Sequence, residues 1–167
     1  MENPNEQAPV PVPAPASPAT SGQEVENRRA NYNRLVRTAR LASIILDSVN
    51  FKILPEALGV NKSLLKRDLN VSTKLMSSGL TDGTCVGNIA WTVQYKFQKR
   101  TIVKCTASYI ISYDGIEKCS EETVGIFVEN VGKVATYAYL RALYAHLDWS
   151  ANLGSPPLPI IQFLPKL

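Results

Sequence analysis

Residues 131–167 read VGKVATYAYLRALYAHLDWSANLGSPPLPIIQFLPKL, a long apolar helix, a Gly-Pro break and an extended apolar tail. Wound at about 3.6 residues per turn, the helix places Val134, Ala135, Ala138, Ala142, Ala145 and Trp149 on one side. Leu140, Leu143 and Leu147 fall nearly opposite, Tyr137 and Tyr144 flank one border, and Arg141 and Asp148 share a narrow polar strip. A helix apolar on nearly every side is a buried helix. Arg141, His146 and Asp148 interrupt it too often for a membrane span. A sheet of the same chain can cover one face. The Ala-rich face allows close approach, so Val134, Ala138, Ala142 and Ala145 are the expected interface of a homo-oligomer, dimer or tetramer. The alternative is that both faces are buried within one subunit.

Working outward from the helix, the chain divides by composition. Six of the eleven prolines lie in residues 1–25 among Ala, Val, Gln and Ser. Such a stretch cannot bury a core and is expected to be disordered or partly polyproline II. Residues 26–40 carry five arginines (Arg28, Arg29, Arg34, Arg37, Arg40) against Glu26 and read as a basic, weakly amphipathic helix. Residues 41–167 form the folded domain, long enough for one ordinary core. The net charge of +4 is therefore mostly local to the arginine cluster. That cluster is either the solvated face of a helix or a contact for nucleic acid or an acidic partner.

Four segments alternate with the two-residue period of half-buried strands. They are residues 41–54, where Val49, Phe51 and Ile53 alternate with Ser48, Asn50 and Lys52, residues 66–76, residues 85–99 and residues 101–113. Turn residues separate the last three. The connection at 54–65 (LPEALGVNKSLL) is longer than a hairpin needs. Its Leu58, Val60, Leu64 and Leu65 suggest a cover over something rather than an idle link. Residues 121–129 read as a short helix opened by Ser120 as N-cap. Four strands then a helix give an α+β fold, a Greek-key-like antiparallel sheet packed on the long C-terminal helix.

The chemistry of catalysis is missing from the pattern. The one histidine, His146, sits on the long helix with no nucleophile motif to serve. No phosphate-binding glycine loop occurs. Cys85, Cys105 and Cys119 have no metal-ligand spacing and are odd in number, as in a reduced, cytoplasmic protein. No apolar leader opens the chain. The reading is a protein that binds rather than catalyses, with no cofactor, no metal and no membrane insertion.

Three features together resemble the SecB family of cytosolic export chaperones. They are the strand order with its crossover loop, the segment Tyr137-Ala138-Tyr139-Leu140-Arg141 followed by Gly154, and the Pro-x5-Pro run from Pro159 to Pro165. Val49-Asn50-Phe51 stands where that family has an apolar-polar-Phe triplet. The resemblance covers about residues 41–167. It implies an ATP-independent holdase for unfolded clients, in protein transport or for one specific client such as an antitoxin, assembled as a dimer of dimers. Leu58, Val60, Leu64, Leu65, Trp149, Phe163 and Leu164 are then the expected client contacts. The family engages its export motor through acids beside that Phe and on the fourth strand. Here Lys52 follows Phe51 and residues 101–113 hold no acid, so action without the motor is expected. The family's last helix has no counterpart before Leu167, and the basic helix is expected to take over part of its role at the client groove.

Overall fold

The computed structural model describes residues 19–79, 82–116 and 119–160, with side chains from residue 25 onward. In chain order it contains α1 (Ala19–Thr38), β1 (Arg40–Ile53), two single 3-10 turns (Pro55–Leu58 and Lys62–Leu64), β2 (Lys66–Ser77), β3 (Thr84–Phe97), β4 (Arg100–Asp114) and α2 (Glu121–Ser150). The basic helix opens at Ala19, inside the stretch expected to be without structure, and β1 takes its last expected residue, Arg40.

The four strands form one antiparallel sheet in the order β1-β4-β3-β2. Three consecutive strands, with β3 and β4 joined by a tight turn at Gln98 and Lys99 and β1 returned beside the last of them, make the Greek-key arrangement. On β3 and β4 the alternation is complete except at Ile102, which is buried beside Val103. Cys85, Ile89, Trp91, Val93 and Tyr95 are buried with Val103, Cys105, Ala107, Tyr109, Ile111 and Tyr113 on the face that carries α2.

Residues 121–150 form one helix, where a short helix before the long one was expected. Ser120 does cap it, accepting from the Thr123 N–H, with Glu121 and Glu122 favourably placed in the first turn. Gly125 and Gly132 do not end it. Gly132 lies where the helix comes nearest the sheet, and a Cβ there would stand 2.6 Å from Ile111 Cδ1 and 3.1 Å from Ile89 Cδ1. Gly87 on β3 plays the same part from below, since its Cβ would meet Val128 at 2.4 Å. The close approach lets Trp91 Nε1–H donate to Thr136 Oγ1 at 2.9 Å, while the Thr136 hydroxyl donates to the Gly132 carbonyl at 2.8 Å. Farther along, Tyr144 stacks on Tyr95 and meets the edge of Phe51.

The helix covers β2, β3 and β4 but not β1. This alters the expected burial of the first strand. Leu41, Leu46 and Val49 share the α2-side face of β1, yet each is more than 40% exposed. Ile44, and Phe51 and Ile53 at the end of the strand, are packed against the core. The α2 surface divides as expected. Leu140 and Tyr144 are buried on the sheet, while Val134, Ala138, Ala142, Ala145 and Trp149 face away from it and are exposed.

A branched side chain at Gly132 should wedge the helix off the sheet. Gly132→Val is expected to cost about 1–3 kcal/mol, the usual cost of overpacking, read as a lower urea midpoint. The core also sets a pH limit. Burial pushes the Cys85 and Cys105 thiols up to about 11 and the Tyr109 and Tyr113 phenols up to about 12. The folded chain then holds protons that the unfolded chain releases, so stability falls as pH rises from the ordinary thiol value of 9.0 towards those raised values. A urea midpoint that stays level from pH 8.5 to 11 would refute this.

Candidate functional site

The last two turns of α2 and the chain that leaves them build the main concavity. The helix stops at Ser150, and Asn152 and Gly154 adopt positive φ of 50° and 60° to reverse the chain. The Ser155 N–H donates to both carboxylate oxygens of Asp148, each at 3.1 Å, which ties the turn to the helix. The returning segment then runs back along α2. Tyr95 Oη donates to the Pro156 carbonyl at 2.6 Å, Arg67 to the Pro157 carbonyl at 2.7 Å and Tyr137 Oη to the Pro159 carbonyl at 2.7 Å. Proline supplies no N–H, so these backbone oxygens are held from outside the segment by side chains of the sheet and helix. Leu153 and Leu158 are buried beneath.

Between this segment and α2 lies an open groove of about 640 Å³. One wall is Ala138, Ala142, Ala145 and Trp149, and the other is Gly154, Ser155, Pro157 and Leu158. Trp149 is 79% exposed at its mouth. The small alanines give the groove its depth. Arg141, half-buried, supplies a cation on the floor, while Asp148 is engaged by the turn. The Tyr144 hydroxyl is buried in the groove and completes no hydrogen bond of good geometry. Burial pushes its ionisation well above the ordinary range, with the Ser155 side chain easing it slightly. An aromatic and aliphatic trough with one cation suits an extended apolar peptide segment.

The loop at 54–65 crosses from one edge of the sheet to the other, at the end where Tyr95 and Phe51 meet Tyr144. It is pinned by Leu54 N–H to the Ile102 carbonyl at 2.8 Å and by Arg100 to Glu56 at 2.8 Å. The four expected loop contacts divide by direction. Val60 and Leu65 pack against the core, whereas Leu58 and Leu64 stand 66% and 58% exposed. Leu58, Leu64 and Trp149 thus share one end of the molecule. Phe163 and Leu164 lie outside the described residues. The alanines expected at a subunit interface line the groove itself, so the two sets of expected residues are contiguous. Sequence reasoning missed Tyr144 as a groove residue, and it missed the exposed apolar strip of Leu41, Leu46 and Val49 on β1. The first has no sequence signal. The second could have been suspected from β1 being joined by a long connection, which allows an edge position.

The basic helix is not at the groove. α1 buries Tyr32 and Leu35 and pairs Arg28 with Glu122 at 3.1 Å. Thr38 Oγ1 donates to the Gly115 carbonyl at 3.3 Å. Glu122 and Asp148 stand about 39 Å apart along α2 at 1.5 Å per residue, so α1 does not replace a lid over the groove. The helix follows its apolar pair, Tyr32 and Leu35, to the nearest uncovered turn of α2. Among the described residues, no group of His, Cys, Asp and Glu could hold a metal ion, and no helix is long and apolar enough to cross a membrane.

An antiparallel Greek-key sheet, a crossover loop and a long helix edged by a tied-back Pro-rich segment define a SecB-like fold. Among solved structures, the chain is similar to the Mycobacterium tuberculosis SecB-like chaperone Rv1957, solved with a ChAD peptide from the Rv1956 HigA1 antitoxin. The TM-score is 0.62 at 19% identity, over 83% of this chain and 99% of that one. A Streptococcus agalactiae protein of unknown function matches at a TM-score of 0.37 and 12% identity, over 73% of this chain and 97% of that one. No protein-family model matches the chain, and no curated protein matches it in sequence.

Three prolyl carbonyls of the groove's second wall are held by side-chain hydrogen bonds. Tyr95→Phe with Tyr137→Phe removes two of them, at about 1 kcal/mol each. Amide exchange at Leu158 and Ile160 should then speed up several-fold while exchange in β3 and β4 is unchanged.

Proposed function

We propose that the protein is an ATP-independent holdase of SecB type that binds extended apolar segments of unfolded or partly folded clients. The observation that carries this reading is the open groove between α2 and residues 154–158, with Trp149 at its mouth and Leu58 and Leu64 exposed at the same end. Exposed apolar surface of this kind marks binding of polypeptide, and the similar mycobacterial chaperone was solved with an antitoxin peptide. The clients fit either the export of proteins or the care of one specific protein such as an antitoxin.

The reading includes a homo-oligomer, dimer or tetramer, in the cytoplasm. Two surfaces support assembly. One is the exposed face of Val134, Ala138, Ala142 and Ala145, and the other is the apolar, unpaired edge strand β1. An edge of this length, left bare, invites pairing with another chain. Action without the export motor is part of the reading. Its support is that Lys52 and Lys104 stand directly opposite each other on β1 and β4, where a basic docking tail would meet like charge.

Four measurements test this. A chemically unfolded protein should stay soluble at about one assembly per chain with no nucleotide present, and unaltered aggregation would refute the holdase. Leu58→Ser with Trp149→Ala should weaken that protection at least severalfold with circular dichroism unchanged. Sedimentation should give a species heavier than the 18.3 kDa chain, and Ala142→Arg should dissociate it, because a charge is forced into a close-packed face. A basic, metal-containing motor tail should fail to bind at moderate salt. Tight binding would make this an ordinary export chaperone.

A further inference from the structure

The face of the sheet turned away from α2 has no part in the groove, and its composition is unusual. Strand register places Lys52 directly opposite Lys104, which in turn stands opposite Gln94. Lys66 stands opposite Lys96. The next rows are Asn50, Thr106, Thr92 and Asn70, then Ser48, Ser108, Ala90 and Ser72. Like charges directly opposite on neighbouring strands destabilise a sheet. Lys52 and Lys104 are both exposed, and no carboxylate pairs with either among the described residues. Asp68 is on this face but is ion-paired to Lys96. Asp114 lies ten residues up β4, about 34 Å away at 3.4 Å per residue, and accepts from the Thr84 hydroxyl. Asp47 is in the β1 bulge between Leu46 and Ser48.

We infer that this outer face is a docking surface for an extended acidic polypeptide segment, held by Lys52 and Lys104. The argument is charge complementarity with a geometric match. Neighbouring strands lie about 4.8 Å apart, and alternate residues of an extended chain repeat at about 6.8 Å, a difference that flexible lysine stems bridge. The hydroxyl and amide rows beyond the lysines offer donors and acceptors to a peptide backbone. Nucleic acid is the less suitable anion here. Single strands are gripped by aromatic platforms as well as by cations, and β1 to β4 present no aromatic residue on this face. Phe51, Trp91, Tyr95, Phe97, Tyr109 and Tyr113 alternate on to the other side or sit at the strand end.

The test uses the full chain and a fluorescent twelve-residue poly-glutamate peptide, followed by anisotropy. Binding is expected at 50 mM salt and should weaken at least tenfold at 300 mM. Lys52→Gln with Lys104→Gln should weaken it at least tenfold at low salt, with a melting temperature equal to or above that of the parent, because repulsion is removed. Arg29→Gln with Arg37→Gln, on α1, should leave it unchanged. The inference is overturned if the peptide does not bind, if the lysine variant binds as the parent does, if the α1 variant loses as much affinity, or if single-stranded DNA of twelve nucleotides binds as tightly as the peptide. Holdase activity on the opposite face is scored separately in the lysine variant, so failure of one assignment does not conceal the other.

Discussion

The contact on which the rest of the structure depends is the close approach of α2 to β3 and β4. It is made possible by glycine on both sides. Gly87 receives Val128, and Gly132 receives Ile111 and Ile89. At that distance the Trp91 indole reaches Thr136, so the largest buried side chain of the sheet has its one donor satisfied by the helix. A buried indole N–H without a partner would cost about 1–3 kcal/mol. A glycine in mid-helix costs about 1 kcal/mol against alanine, a loss the packing around Trp91 and Tyr144 has to offset.

What the helix covers decides what is left open. α2 lies over β2, β3 and β4, and a helix about 10 Å wide touches the end of β1, where Tyr144 meets Phe51, without covering the strand. The apolar residues of β1 are therefore uncovered along most of the strand, and its outer edge is unpaired. The helix itself is apolar on the side away from the sheet. The chain thus has a hydrophobic core that is satisfied and two hydrophobic surfaces that are not. The groove at the end of α2 belongs to the second surface, since the same alanines line both. The proposed client groove and the proposed subunit contact would draw on adjacent parts of one helix.

The two faces of the sheet also differ in kind. Toward α2 the side chains are aromatic and aliphatic and nearly all buried on β3 and β4. Away from it Ser, Thr, Asn, Gln and Lys predominate, with Ile45, Val86, Ile102 and Ile110 among them. This is the ordinary alternation of an antiparallel sheet with one solvated face, except for the lysines opposed on β1 and β4.

The strands and the order of elements were legible in the sequence, because a period of two with turn residues between segments admits few other readings. Ser120 was legible as a cap, and the two-sided character of residues 134–149 was legible from spacing alone. The sequence did not reveal that residues 121–150 are one helix. Gly132 looks like a break until the sheet beneath it is known. Nor could it show that β1 stands uncovered, since Val49, Phe51 and Ile53 alternate as a buried strand would. Periodicity reports which side chains share a face, and only the position of the helix decides whether that face is covered. The same limit applies to the site. Leu58, Val60, Leu64 and Leu65 are alike as letters, and the path of the loop turns two inward and two outward. The register that sets Lys52 against Lys104 joins residues far apart in the chain. The chain by itself determined which segments are apolar, polar or charged. The tertiary structure decided which of them meet, because contacts between distant strands depend on register and packing rather than on local spacing.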